Sequence, residues 1–426
     1  MGKGAQVCFI FGTVFPSSSP KWFEPAAEPR DRGFPPIWGP LIITVSSVNT
    51  DVQLETPGGN RSLTPVAETI SVTNFRLLKT AEVKLNAGFN VLVGANAQGK
   101  TSLLEALYLV STTRLLRGRR EQEAIRDGEG DASVTVTLAE SLTQLSIHVS
   151  RTAKKKAALN RASLPRAADL LGRLPTVSVT TADLELVRGD PSDRRMQLDL
   201  DLSSLSAAYL RDLTQYKRAL EQRNSLLRTA RERFVSEEAY LPWEQMMAGP
   251  AVELRSARRN YVDAINQLAA QIHAEMGNGE ALRLEYESND PAETEEQMIA
   301  YLAQSRAADI SRGGSSVGPH RDDVAIFIEN RDARSFGSQG QQRTAVISVK
   351  LASLEVAKSR LGFAPILLLD DMLSDLDESR RAFLVDVVLN RAGQALLTCT
   401  EASLAGDRLL NSASVFEVSA GAVNSV

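Results

Sequence analysis

Apolar and polar positions change period several times along this chain, and each change marks an element. Strict alternation in Ile70-Ser71-Val72-Thr73-Asn74-Phe75-Arg76 and in Ala81-Glu82-Val83-Lys84-Leu85 predicts two paired strands. The apolar run Phe89 to Val93 predicts a buried strand, and Ser102 to Leu107 has helical spacing. Alternation returns at 132–138 and 145–149, so a β-rich layer brackets the 89–93 run in sequence. Leu205, Tyr209, Leu213, Tyr216, Leu220 and Leu227 then mark a seam from Ser203 to about Phe234, a helix about 48 Å long. A break at Leu241-Pro242-Trp243 precedes a second seam, Leu254, Arg258, Tyr261, Ile265, Leu268, Ile272 and Met276. Two such helices in succession predict an antiparallel arm. A strand at 281–287 and a helix at 293–308 lead back to α/β signals: strands at 324–328, 366–369 and 395–398, helices at 341–360 and 380–389. Ile366 to Leu369 has no polar face, as a parallel strand covered on both sides requires.

The expected fold is α/β, with a discontinuous domain at 68–200 and 313–426 and an inserted helical arm at 201–312. Residues 1–67 stand apart: the first 65 positions hold nine of the 17 prolines and two of the three tryptophans without a sustained period, which predicts a poorly ordered extension. The stretch Ala5 to Gly12, after Lys3, imitates a signal peptide only faintly, since the n-region is minimal and no A-x-A-like site follows. No apolar run approaches the roughly 18 to 20 residues that span a bilayer, and Cys8 and Cys399 offer no disulfide framework. A soluble, cytoplasmic chain is expected.

Charge adds one constraint. The formal net charge is -4, with 48 basic and 52 acidic residues, so nucleic-acid binding would have to come from local clustering. Two clusters qualify. Residues 151–195 hold ten basic and five acidic residues, including Lys154-Lys155-Lys156, and the first arm helix carries Arg211, Lys217, Arg218, Arg223, Arg228, Arg231 and Arg233. A solvated surface and a phosphate-contacting surface both remain open for each.

The chemistry concentrates in three motifs. Gly94-Ala95-Asn96-Ala97-Gln98-Gly99-Lys100-Thr101, followed by Ser102, sits where a strand turns into a helix. That context makes it a P-loop: backbone N–H groups close around phosphate oxygens, Lys100 reaches the β- and γ-phosphates, and the Thr101 hydroxyl meets Mg²⁺. Pro365 to Asp371 is a Walker B pattern, in which Asp370 holds Mg²⁺ opposite Thr101 and Asp371 orients and deprotonates the attacking water. Ser338, Gly340 and Gln341 open a predicted helix, which makes an anion site or simply a cap. Ser374-Asp375-Leu376-Asp377 follows Walker B.

In this order of motifs the chain resembles the ABC-type ATPases, and within them the RecF family. The likeness is carried by Asn74-Phe75-Arg76 and by the blocks at 94–109, 183–195, 209–227, 318–323 (Gly-Pro-His-Arg-Asp-Asp), 338–344 and 367–377. The resemblance implies an ABC/SMC-type ATPase head in which Ser338, Gly340 and Gln341 approach the γ-phosphate held by a second copy. It further implies ATP and Mg²⁺ as cofactors, an ATP-dependent homodimer, slow hydrolysis as a switch, and binding to gapped DNA. RecR and RecO would be partners in placing RecA, with no membrane, in replication, recombinational repair and the SOS response. Two departures stand out from SMC-type heads. Asp371 replaces the usual glutamate, and Thr400 falls where many ABC ATPases place a switch histidine. His320 matches its family block without a role that the residues themselves disclose. Another SMC-like repair ATPase and the nucleotide-binding subunit of a transporter remain the competing readings.

Overall fold

The structure, a computed structural model, describes residues 64–426 except Arg119 and Asn278, so the expected N-terminal extension lies almost wholly outside the described residues. Ala67, at the expected boundary, is fully buried at the start of the first strand, tied by its N–H to Gln394 Oε1.

In chain order the elements are β1 (Ala67–Phe75), β2 (Leu78–Lys84), β3 (Phe89–Val93), α1 (Lys100–Thr112), β4 (Asp131–Leu138), β5 (Gln144–Ser150), β6 (Lys156–Leu159), β7 (Ala162–Ser163) and β8 (Thr176–Thr180). The helical region follows: α2 (Glu185–Arg188), α3 (Pro191–Leu205), α4 (Ala207–Ala230), α5 (Leu241–Met276), β9 (Leu282–Glu287) and α6 (Glu295–Arg312). The chain closes with β10 (Asp323–Ile328), β11 (Arg331–Asp332), α7 (Ala333–Phe336), α8 (Gln339–Leu361), β12 (Ile366–Asp370), α9 (Glu378–Arg391), β13 (Ala395–Cys399), α10 (Gly406–Leu410), β14 (Ala413–Ser419) and β15 (Ala422–Ser425).

Three sheets result. Strands β2-β1-β4-β5-β6-β7 form an antiparallel layer; β15-β14-β3-β13-β12-β8 form a second sheet, parallel except for β15; β11-β10-β9 form a small third. Helix α1 lies between the first two, which is why eleven of its 13 residues are buried. Alternation along β12 splits its side chains between two cores. Ile366 and Leu368 join the one around α1 and the antiparallel layer, while Leu367 and Leu369 join the one built by the long helices. A strand covered on both faces must be apolar throughout, and this one is.

The arm differs from its expected outline. The seam predicted over 203–234 breaks at Ser206, whose backbone is extended and whose Oγ accepts from Tyr209 N, so Ser206 ends α3 and caps α4. Helix α4 therefore has 24 residues, about 36 Å, rather than 48 Å. The expected break at Leu241-Pro242-Trp243 is instead the first turn of α5, where proline is tolerated, and α5 runs on for 36 residues through Pro250. Pro250 cannot donate to Met246 O, and the Gln215 Nε2 of α4 donates to that carbonyl instead. Arg223, counted in the basic face, is fully buried and joins Glu244 of α5 to Asp309 of α6. An arginine with partners on two neighbouring helices is a cross-brace, so it leaves the exposed face. Nor is the 201–312 interval self-contained, since β9 pairs with β10 and the buried residues of α4 and α5 share one core with β12 and β13.

Candidate nucleotide site

The loop after β3 closes tightly because glycine stands at its entrance. A Cβ on Gly94 would lie 2.3 Å from Val418 O, a main-chain atom that cannot swing away. The hairpin of β14 and β15 braces the same loop from outside: Ala420 N donates to Gln98 Oε1 at 2.7 Å and Gly421 N to Gln98 O at 3.0 Å. That hairpin was absent from the elements read from sequence. Lys100 Nζ folds over the loop and donates to Gly94 O at 2.6 Å and Ala95 O at 2.8 Å. An ammonium has three donors, so one more is available for a ligand.

At the end of β12, Asp370 gathers three side chains, from α1, from β13 and from the loop after α1. Thr101 Oγ1 and Thr398 Oγ1 donate to its Oδ1 at 2.7 and 2.9 Å, and the Arg117 guanidinium meets its Oδ2 at 2.5 Å. Sequence reasoning named Thr101 and Asp370 but gave Arg117 and Thr398 no part. The signals were an arginine cluster after the P-loop helix and a threonine in a buried strand, neither of which singles out one residue. Asp371 N donates to Thr398 Oγ1 at 2.9 Å, and Ser374 Oγ donates to Asp371 Oδ1 at 2.6 Å. The backbone at Asp371 is left-handed, with φ +53°. Aspartate is enriched severalfold among the few residues that adopt this region, which gives a local reason for aspartate where SMC-type heads have glutamate. Cys399 lies buried behind the site, its thiol pushed up to about 11 chiefly by burial.

Ser338, Gly340 and Gln341 stand at the start of α8. Ser338 Oγ accepts from Gln341 N at 3.3 Å while Gln341 Oε1 accepts from Ser338 N at 2.9 Å, a reciprocal cap. Ser338, Gln339 and Gly340 are exposed. Among the described residues no hydrogen bond links Ser338–Gln341 to the loop at 94–102.

The Gly318–Asp323 block lies elsewhere, where the long helices meet the small sheet. Tyr216 OH donates to His320 Nδ1 at 2.6 Å and His320 Nε2 donates to Ser315 O at 3.0 Å, so the ring is fixed as one neutral tautomer. Gly318 is required beside it: φ is +119° and a Cβ would sit 2.4 Å from Tyr216 OH. Asp322 accepts from Arg255 through both oxygens, and Arg258 donates to Pro319 O at 2.6 Å. His320 is a joint residue, and burial pushes its imidazole from 6.5 down to about 4. The unfolded chain takes up this proton first as pH falls, so the stabilisation is intact above about pH 6.5 and is lost toward pH 4. The stability gap between wild type and His320→Gln should narrow by about 2.5 kcal/mol between pH 7 and 4.5 in urea titrations; a constant gap would contradict the assignment.

The basic run at 151–195 is only partly a surface. Lys155 pairs with Glu121, Arg166 with Asp169, and Arg194 with Asp323, while Arg188 donates to Gln342 and Arg195 to Asp322 O. Lys154, Lys156 and Arg161 are exposed and form no ion pair among the described residues. On α4, Lys217 pairs with Asp199, and Arg211, Arg218 and Arg228 remain exposed.

A P-loop between a parallel sheet and its first helix, a carboxylate pair at the neighbouring strand end and a separate capped S-x-G-Q helix define the head of an ABC/SMC-type ATPase. The family model described as RecF/RecN/SMC N terminal domain matches residues 66–419. The DNA replication and repair protein RecF of Herpetosiphon aurantiacus is 38% identical over 356 residues, 78% of this chain and 92% of its own. That of Geobacillus thermodenitrificans is 34% identical over 365 residues, 83% and 98% of the two chains. A structure described as the recombination mediator protein RecF-ATP in the RecFOR pathway superposes with TM-score 0.78 at 29% identity, covering 85% of this chain and 98% of that one. An Smc head with coiled coil and joint from Pyrococcus yayanosii shares the fold alone, at TM-score 0.52 and 14% identity over 85% and 97% of the chains. The chain belongs to the RecF family of DNA replication and repair proteins, built on an SMC-type ATPase head. Of the readings open from sequence, this is the one the similarities support. Among the described residues no helix is long and apolar enough to cross a membrane.

Proposed function

We propose that this chain binds ATP with Mg²⁺, closes with a second copy around the nucleotide, and in that state holds gapped DNA during recombinational repair. The observation that carries the reading is the meeting of Thr101, Asp370, Thr398 and Asp371 at one strand end, with the exposed S-x-G-Q cap joined to none of them. In this reading Gly94 to Ser102 cradle the phosphates, with Lys100 turning its remaining donor toward them. Thr101 and Asp370, whose oxygens meet at 2.7 Å, would hold the magnesium ion with the hard oxygen donors it prefers, and the ion would supply neutralisation of the phosphate charge. Asp371 takes the proton of the attacking water. Ser338, Gly340 and Gln341 complete the site in the second copy. ADP, lacking the γ-phosphate, loses that bridge, which gives the nucleotide its differential affinity for the closed state.

The same reading divides the chain into a head at 68–200 and 313–426 and an arm at 201–312, places it in the cytoplasm, and makes RecR and RecO its partners in placing RecA and supporting the SOS response. Lys154, Lys156, Arg161 and the exposed arginines of α4 contact DNA phosphates. Changing Lys154, Lys156 and Arg161 together to glutamine should reduce the slope of log affinity against log salt by about 3, near 0.9 for each phosphate no longer neutralised. An unchanged slope in fluorescence anisotropy with gapped duplex would remove this surface from the interface. The whole reading is tested by whether gapped duplex raises the ATPase rate; a rate indifferent to DNA would overturn it.

A further inference from the structure

Gln341 does two jobs at once. Its Oε1 accepts from Ser338 N while its Nε2 donates to Glu280 Oε1 at 2.7 Å. Glu280 stands just after α5, outside every motif, and its Oε1 is the acceptor in this bond. Facing such a group, the Gln341 amide must present its NH₂ to Glu280, so its oxygen is directed to Ser338 N. With Ser338 N satisfied in this way and Ser338 Oγ accepting from Gln341 N, the serine hydroxyl hydrogen stays free and exposed. The N–H groups of Gln339 and Gly340, in the first turn of the same long helix, have no intrahelical acceptor. The end of α5 also approaches the S-x-L-D motif: Arg380, paired with Asp377 at 2.8 Å, donates from Nε to Met276 O at 3.4 Å.

We propose that Glu280 is a positioning residue for ATP-driven pairing, fixing the Gln341 amide so that the S-x-G-Q donors are set for the γ-phosphate of a second copy. The inference rests on the dimer reading above. It makes the end of the arm's long helix part of the cross-subunit contact without touching nucleotide. Residue chemistry at 280 then dictates a ranking. Glutamine still offers an acceptor, alanine offers nothing, and lysine offers only donors, which would draw the Gln341 oxygen away from Ser338 N.

The experiment uses the full chain with a slowly hydrolysed ATP analogue, reading ATP affinity of the single chain by nucleotide fluorescence and pairing by sedimentation velocity. Nucleotide affinity should match wild type in all three variants, since among the described residues Glu280 makes no hydrogen bond to the P-loop. Melting temperature should match for Glu280→Gln and fall modestly for Glu280→Ala and Glu280→Lys, which lose the whole carboxylate head 3.8 Å from the buried His273 Nε2. The pairing constant should stay within about twofold for Glu280→Gln, weaken about tenfold for Glu280→Ala, and weaken further for Glu280→Lys. A wild type that stays monomeric with the analogue overturns the dimer reading and this inference together. A wild type that pairs while Glu280→Ala and Glu280→Lys pair equally well overturns the inference alone, as does a loss of nucleotide affinity parallel to the loss of pairing.

Discussion

Lys100→Ala should remain monomeric at ATP concentrations that drive the wild type fully into dimers. Two effects act together. In the proposed site the P-loop loses the cation whose spare donor serves the phosphates, and charge-assisted hydrogen bonds of that kind contribute about 1.5 to 3 kcal/mol each. The change also leaves Gly94 O and Ala95 O without their present donor, which loosens the loop that must close. Together these weaken ATP binding by at least about a hundredfold, roughly 3 kcal/mol. In the proposed function pairing requires bound nucleotide, so it should disappear with it. Sedimentation velocity with and without ATP reads the outcome, with thermal melting as the control for folding. A variant that pairs with ATP as the wild type does would show that the nucleotide is held elsewhere.

Asp371→Asn should do the opposite and lock the pair shut. Asparagine keeps the shape, still accepts from Ser374 Oγ, and is among the residues that tolerate the left-handed backbone at this position. What it loses is the ability to take a proton, and removing a general base lowers the rate by about 10² to 10⁴. ATP affinity and pairing should therefore persist while turnover falls, so the dimer outlives many wild-type cycles. Phosphate release and dimer lifetime, measured on one sample, separate the two effects. Near-normal turnover in this variant would move the base to another residue.

The motifs themselves were legible because each is local: a P-loop, a strand ending in carboxylates and a capped helix each occupy fewer than about a dozen consecutive residues, and period and spacing reveal them. What escaped was set by partners far along the chain. Arg117 is one of several arginines after α1, and only the approach of β12 tells it apart. Arg223 looked like surface because its spacing says nothing of Glu244 and Asp309, on two later helices. Ser206 was read through because the hydrophobic seam continues across it, although a serine followed by helical residues is a cap signal that the seam obscured. Glu280 belongs to no motif at all. Its partner Gln341 lies 61 residues further along the chain.

The bracing of Gly94 by Val418 and of Gln98 by Ala420 and Gly421 also bears on how the protein is made. Strand β3 finds its two sheet neighbours only in β13 and β14, roughly three hundred residues later. During synthesis the phosphate-binding sequence leaves the ribosome early, yet its supporting strands are among the last to appear. A nascent or prematurely terminated chain thus carries every P-loop residue and no working P-loop. Pairings of such long sequence separation also slow folding and favour intermediates. Under the proposed function, this order of assembly keeps unfinished copies, which cannot yet hold nucleotide, from engaging DNA.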